Sequence, residues 1–169
     1  MRIFVGLQPA PGFREALGAV QQRLREAGVT GRYLDPVHLH LTLAFIGEWP
    51  EDVNALLPPV ETPFPLVLSH IGVFPRAKVL WAGVAPSEPL NRLAAQVRER
   101  LRQAGIPFDG QPFNPHITLL RKPVLPGDTL PDIQPPPVMM TVREVCLYRS
   151  ERTEAGMAYT VIGRKGGPA

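Results

Sequence analysis

Cysteine is almost absent: Cys146 is the only one in 169 residues. A single thiol can build neither an intrachain disulfide framework nor a Cys-rich zinc site. Lysine is nearly as scarce, with three residues in a Lys plus Arg total of 18. None follows a Gly-x-x-x-x-Gly phosphate loop or stands in a nucleotidyl-lysine setting, which argues against ATP-driven chemistry. Aromatic residues make up 7% of the chain, few for a surface that would hold RNA mainly by stacking. Long apolar runs are missing as well. The opening MRIFVGLQPAPGF holds only a short one, too brief for the apolar core of a signal peptide, and nothing approaches a membrane span. The expectation is a soluble, cytoplasmic, monomeric protein.

What is present suits one globular unit. Hydrophobic residues are 44% and charged residues 20%, enough to bury a core without crosslinks. A single domain is expected over residues 1–163, followed by a disordered tail at 164–169. The 21 prolines disfavour a helical bundle and imply strands joined by stiff connections. A net charge of +3 permits a nucleic-acid partner through phosphate neutralisation. The same charge also follows from a composition merely rich in Arg.

A weak internal repeat organises the chain. RLREAGV at 23–29 returns as RLRQAGI at 100–106. Each copy ends a pattern with helical spacing: Phe13, Leu17, Val20 and Leu24, then Leu90, Leu93, Val97 and Leu101. Gly28 and Gly105 supply the stops. A strand-like run precedes each helix (3–7 and 79–84), and a histidine-bearing strand follows each one. HLHLTLAFIG starts at His38 and HITLLR at His116. Two hairpins complete the pattern, 63–74 with 79–84 and 137–148 with 157–162. A short helix fits 50–57, and 123–137 reads as a Pro-rich surface loop. The fold class is therefore α+β. Two related lobes of antiparallel sheet plus helices are expected about a pseudo-twofold axis, with a ligand cleft between them.

The histidine strands carry the chemistry. Period-2 alternation puts Leu39, Leu41, Leu43 and Phe45 on one face, with His38, His40, Thr42 and Ala44 on the other. In the second strand His116 and Thr118 share a face. Two of only four histidines thus begin His-x-Thr-Leu, at matching places in the repeat. Histidine exchanges its proton near neutral pH. A neutral ring can take a proton from a nucleophile while a charged one protonates a leaving group. Threonine hydroxyls one pleat away can bind substrate oxygens, and the whole cage suits a phosphodiester. Two competing readings are a zinc site and a pair of core histidines. Zinc needs a third ligand, and neither strand holds an Asp or Glu.

RIFVGL, HLHLTLAFIG, FNPHITLLR and VCLYRSERTEAGMAYTVI are spread over nearly the whole chain, and with them it resembles the 2H phosphoesterases. Within that superfamily it is similar to the RNA 2′,3′-cyclic phosphodiesterases, also called 2′-5′ RNA ligases. The resemblance implies a two-lobed 2H fold and metal-independent hydrolysis of RNA 2′,3′-cyclic phosphate ends to 2′-phosphates, without a cofactor. RNA with such ends, tRNA fragments among them, would be the partner, and an ATP-independent 2′-5′ ligation could run in reverse. His40 and His116 would be catalytic, with His116 as base and His40 as acid. Thr42, Thr118 and Arg121 would bind phosphate, although strict alternation sets Arg121 opposite His116. Phe45 either lines the nucleotide pocket or packs in the core. His38, where the family commonly has Asn or Glu, either contacts the ribose and tunes His40 or is an inert strand-edge residue. A 2′,5′-oligonucleotide phosphodiesterase and a non-catalytic RNA-binding module are the alternatives.

Overall fold

A computed structural model describes residues 1–167 of the chain. The strands are β1 (Arg2–Leu7), β2 (Thr30–Tyr33), β3 (Leu41–Glu48), β4 (Phe64–Phe74), β5 (Val79–Val84), β6 (Ile117–Val124), β7 (Met139–Val142), β8 (Val145–Thr153) and β9 (Gly156–Lys165). The helices are α1 (Pro11–Glu26) and α2 (Glu88–Gln103). All strand pairs are antiparallel, in the order β7-β4-β5-β6-β3-β1-β8-β9 with β2 alongside β6.

The two helices obey one design. Each has Pro in its first turn, where the missing N–H costs nothing. Each buries an apolar stripe, Leu17, Val20 and Leu24 in α1 and Leu90, Ala94 and Val97 in α2. Each ends at a glycine with positive φ, +88° at Gly28 and +73° at Gly105. There the Val29 N–H returns to the Leu24 carbonyl and the Ile106 N–H to the Leu101 carbonyl, closing the last turn.

The repeat places the middle of the sheet. β3 and β6 meet at one pair, Leu41 opposite Ile117. These residues directly follow His40 and His116 and are equivalent in the repeat. An antiparallel contact between equivalent residues is what a twofold axis through that pair produces. The halves also interleave: β2 of the first half pairs with β6 of the second, and α2 of the second packs on β3 of the first.

Three local expectations change. Residues 137–148 are not one strand, because β7 lies beside β4 while β8 lies beside β1. The chain changes partner strand between them, breaking at Arg143 and Glu144, between buried Val142 and Val145. The helix expected at 50–57 is a single 3₁₀ turn, Asn54–Leu56. Asp52 accepts the Asn54 N–H at 2.9 Å, which fixes a turn there, and Pro58 leaves no room to extend. Order also runs past residue 163. Arg164 and Lys165 belong to β9, opposite Cys146 and Val145, and Arg164 is held by Glu144 at 2.6 Å. Pro168 and Ala169 of the expected tail lie outside the described residues.

Candidate active site

Both motif histidines sit one residue before their strands, since β3 starts at Leu41 and β6 at Ile117. Each ring is fixed by the carbonyl two residues earlier. His40 Nδ1 bonds the His38 carbonyl at 2.8 Å, and His116 Nδ1 bonds the Asn114 carbonyl at 2.7 Å. A carbonyl only accepts, so Nδ1 carries the hydrogen in both rings. Nε2 is then the atom left to take up or release a proton.

His38 does not share a strand face with His40. It ends a one-turn 3₁₀ helix, Pro36–His38, whose start is capped by the Asp35 carboxylate. Pro36 sets that turn, and it ends the alternation on which the strand reading rested. The His38 ring turns to β9, where Nδ1 accepts the Tyr159 N–H at 3.2 Å. Its backbone carbonyl, rather than its imidazole, reaches His40.

A matched pair of β-bulges decides what else faces the histidines. Along β3, Thr42 is opposite Gly6 and Ala44 is opposite Val5, leaving Leu43 without a partner. Along β6, Thr118 is opposite Trp81 and Leu120 is opposite Leu80, leaving Leu119 unpartnered. An extra residue shifts the phase of the pleat. Leu43 and Ala44 are therefore both in the core at 0% exposure, as are Leu119 and Leu120. Phe45 and Arg121, equivalent in the repeat, emerge half-buried on the side of the threonines. Ala44 thus belongs to the core and Phe45 to the open face, the reverse of strict alternation. The same shift removes the obstacle to Arg121, which comes round to the face of His116.

That face opens into a cleft of about 770 Å³, lined by His40, Thr42, Phe45, Arg121 and Tyr159 among others. Its outer part carries Arg2, Arg149 and Arg152 against Glu48 and Glu151. His116 packs edge-on against Phe74 and Trp81, with ring centroids 5.0 and 6.3 Å away. Thr118 lies half-buried on β6, two residues on from His116.

Burial dominates the electrostatics. It pushes the His40 imidazole down to about 4, against the smaller upward pull of the His38 carbonyl; the Arg121 guanidinium and His116 push further down. His116 is also lowered by burial, with the Asn114 carbonyl opposing and Arg121 adding to the shift. One guanidinium therefore acts on both rings. Both rings are disposed to be neutral until an anion enters.

Two cleft residues lie in the flanking segments RIFVGL and MAYTVI, where nothing in the sequence marks them as site residues. Tyr159 packs its ring edge 4.6 Å from His40, and its hydroxyl accepts from Arg121 Nη2 at 3.4 Å. Phe4 lies 4.6 Å from the His40 ring and meets the Tyr159 ring edge-on at 5.7 Å, so the three rings form one cluster. Neither stands in a His-x-Thr segment, and only the register of β1, β3, β8 and β9 brings them together. Cys146 is buried and its thiol is pushed up to about 11, chiefly by burial, so it is held as an unreactive thiol. His70 stands edge-on to Trp81 at 5.5 Å. Among the described residues no group of three or more His, Cys, Asp or Glu could hold a metal ion. No helix among them is long and apolar enough to cross a membrane.

Comparison with known proteins agrees with this arrangement. The model of the 2′-5′ RNA ligase superfamily matches residues 9–154. A Thermus thermophilus protein named RNA 2′,3′-cyclic phosphodiesterase is 34% identical over 181 positions, covering 96% of this chain and 88% of its own. A Geobacillus stearothermophilus protein of the same name is 31% identical over 148 residues, and the chain spans only 47% of its length. The crystal structure of Escherichia coli LigT complexed with 3′-AMP superposes with a TM-score of 0.84 at 30% identity, covering 99% of this chain and 98% of that one. With its paired histidine strands, its antiparallel sheet and a family match over most of its length, this chain belongs to the 2′-5′ RNA ligase superfamily.

Proposed function

We propose that the cleft hydrolyses RNA 2′,3′-cyclic phosphate ends to 2′-phosphates. The observation that carries this reading is the pair of symmetry-related imidazoles, each with Nδ1 tied back to a carbonyl and each directly preceding a residue of the Leu41–Ile117 pair, with Arg121 acting on both. Relatives named RNA 2′,3′-cyclic phosphodiesterase support the substrate class.

The roles follow from the asymmetry of the cleft. His40 lines the cleft, whereas His116 lies outside its lining, against Phe74 and Trp81. The terminal nucleoside takes the open side, with its base against Phe45 and Tyr159. The departing 3′-oxygen belongs to that nucleoside and so lies near His40. In-line displacement then brings water from the His116 side. His116 Nε2 takes the water proton as the new O–P bond forms. His40 Nε2 protonates O3′ as the old bond breaks. Thr42, Thr118 and Arg121 hold the non-bridging oxygens, where charge accumulates. Proton exchange with solvent resets the pair. Arg2, Arg149 and Arg152 lie beyond this cage, so an RNA end with its upstream phosphate matches the cleft better than a free cyclic mononucleotide. The same cage, with a 5′-hydroxyl in place of water as the nucleophile and O3′ again leaving, forms a 2′-5′ bond without ATP.

Incubation with a cyclic-phosphate oligonucleotide tests the reading. The expected product is the 2′-phosphate alone. A 3′-phosphate product would reverse the in-line geometry. Tight binding without turnover would make the chain an RNA-binding module. Faster cleavage of 2′-5′-linked oligonucleotides would make it a 2′,5′-phosphodiesterase.

A pH prediction follows. The roles above need His40 charged and His116 neutral. That is the less populated singly protonated form, because burial lowers His40 further. The value of kcat/KM still follows a bell set by the pair in the free protein. It rises as pH climbs through the lower pKa and falls as the remaining proton is lost. His40 is held at about 4 and His116 below its ordinary 6.5, so kcat/KM peaks on the acid side of 6.5. A bound diester favours charged imidazoles and raises both values, so the kcat bell lies at higher pH. Rate profiles from about pH 4 to 9 check this; coincident bells centred above neutrality would contradict it.

A further inference from the structure

The two bulges that aim Arg121 and Phe45 are held by a matched pair of helix side chains. A bulge breaks the ladder, which leaves a buried backbone carbonyl in need of donors. Gln21, only 1% exposed, extends from α1. Its Nε2 donates to the Leu119 carbonyl at 2.9 Å and to the Leu34 carbonyl at 2.8 Å. Leu34 N–H also reaches the Leu119 carbonyl, at 3.0 Å. Arg98 of α2 does the same in the other half. Its Nε donates to the Leu43 carbonyl at 3.1 Å, and its Nη1 donates to the Gln111 carbonyl at 2.8 Å.

Every position in this pattern repeats. Gln21 and Arg98 occupy the same place before RLREAG and RLRQAG. Leu34 and Gln111 each lie 13 residues after the donor. Leu43 and Leu119 are the two bulge residues. The amide and the guanidinium differ chemically yet meet the same pair of carbonyls, so the requirement lies in the bulge and not in the residue type. Each arm also crosses between halves: α1 serves β6 and α2 serves β3.

We infer that Gln21 and Arg98 are paired positioning residues, Gln21 setting Arg121 and Arg98 setting Phe45 through the bulges at Leu119 and Leu43. Without its arm a bulge is free to slip by one residue, and a slip of one turns the next side chain to the opposite face. Gln21 and Arg98 touch no substrate. They act through the register of the strand they hold, and their effect on turnover rests on the phosphodiesterase reading above.

Double-mutant cycles on the intact chain test this. Gln21→Met keeps the side-chain length and removes both donors. It is expected to lower kcat/KM on a cyclic-phosphate oligonucleotide by roughly 10- to 100-fold, the scale of a small misplacement. In an Arg121→Ala background the same change should matter less than about threefold, because the group it positions is gone. With Phe45→Ala it should keep its full effect. Arg98→Met should show the mirror image, coupled to Phe45→Ala and independent of Arg121→Ala. Multiplicative losses in both cycles, with the wild type active, would overturn the inference and leave the phosphodiesterase reading intact. An inactive wild type would instead sink that reading. If Gln21→Met does not fold, the half-buried Arg98 carries the decision through its own cycle.

Discussion

Replacing His116 with alanine is expected to lower kcat on a cyclic-phosphate RNA end by about 10²- to 10⁴-fold, the range a positioned acid or base contributes. His40→Ala should cost as much, and the double variant little more than either, because the rings act as a unit. Leaving groups separate the two roles. A phosphodiester that releases 4-nitrophenolate needs no proton on departure. His40→Ala should therefore recover most of its rate on that substrate, while His116→Ala should not, since water still needs a base. The opposite recovery would exchange the assignments. Near-wild-type hydrolysis of the RNA substrate by His116→Ala would end the mechanism. Folding needs a check, because His40 packs against Phe4 and Tyr159 at 4.6 Å each. Thermal melts followed by circular dichroism would separate lost chemistry from lost structure.

The elements of this site differ in how far the sequence discloses them. The helices were legible because their apolar stripes and glycine stops are local features. The two His-x-Thr segments were legible as a repeated pattern, and the antiparallel α+β fold followed from strand-length runs joined by short turns. Alternation failed at Phe45 and Ala44, where a bulge inserts a residue that no local propensity marks. One failure explains another doubt: the shift that exposes Phe45 also delivers Arg121. His38 was misplaced because Pro36 sets a 3₁₀ turn where the pattern continued a strand. Tyr159 and Phe4 stand in segments that mark the family, RIFVGL and MAYTVI, yet their place in the site is not legible there. They reach His40 only through pairings between β1, β3, β8 and β9, and long-range register is not written in any single segment. Gln21 and Arg98 read as ordinary polar residues beside an apolar stripe, until the bulge carbonyls they serve are located.

Arg121→Ala is expected to lower kcat/KM by about 10²- to 10³-fold, the cost of removing a preorganised donor to a developing oxyanion. The strand holds this arginine firmly. Its backbone lies between β2 and β5, opposite Arg32 on one side and Val79 on the other, and its guanidinium rests against the Tyr159 hydroxyl. Arg121→Lys should recover only part of the loss, because an ammonium restores the charge but not the planar fork that grips two oxygens. The charge has a second consequence that geometry alone would not give. Arg121 pushes both imidazoles down. With alanine there, each ring holds its proton to higher pH, so the kcat/KM bell of Arg121→Ala should move in the alkaline direction. Lysine, which keeps the charge, should leave the bell nearly in place while the rate falls. A charge acting on the histidines and a fork holding the phosphate are thereby measured apart, one by the position of the bell and the other by its height. If alanine left the bell unmoved and the rate within about threefold of wild type, Arg121 would serve the strand and not the reaction.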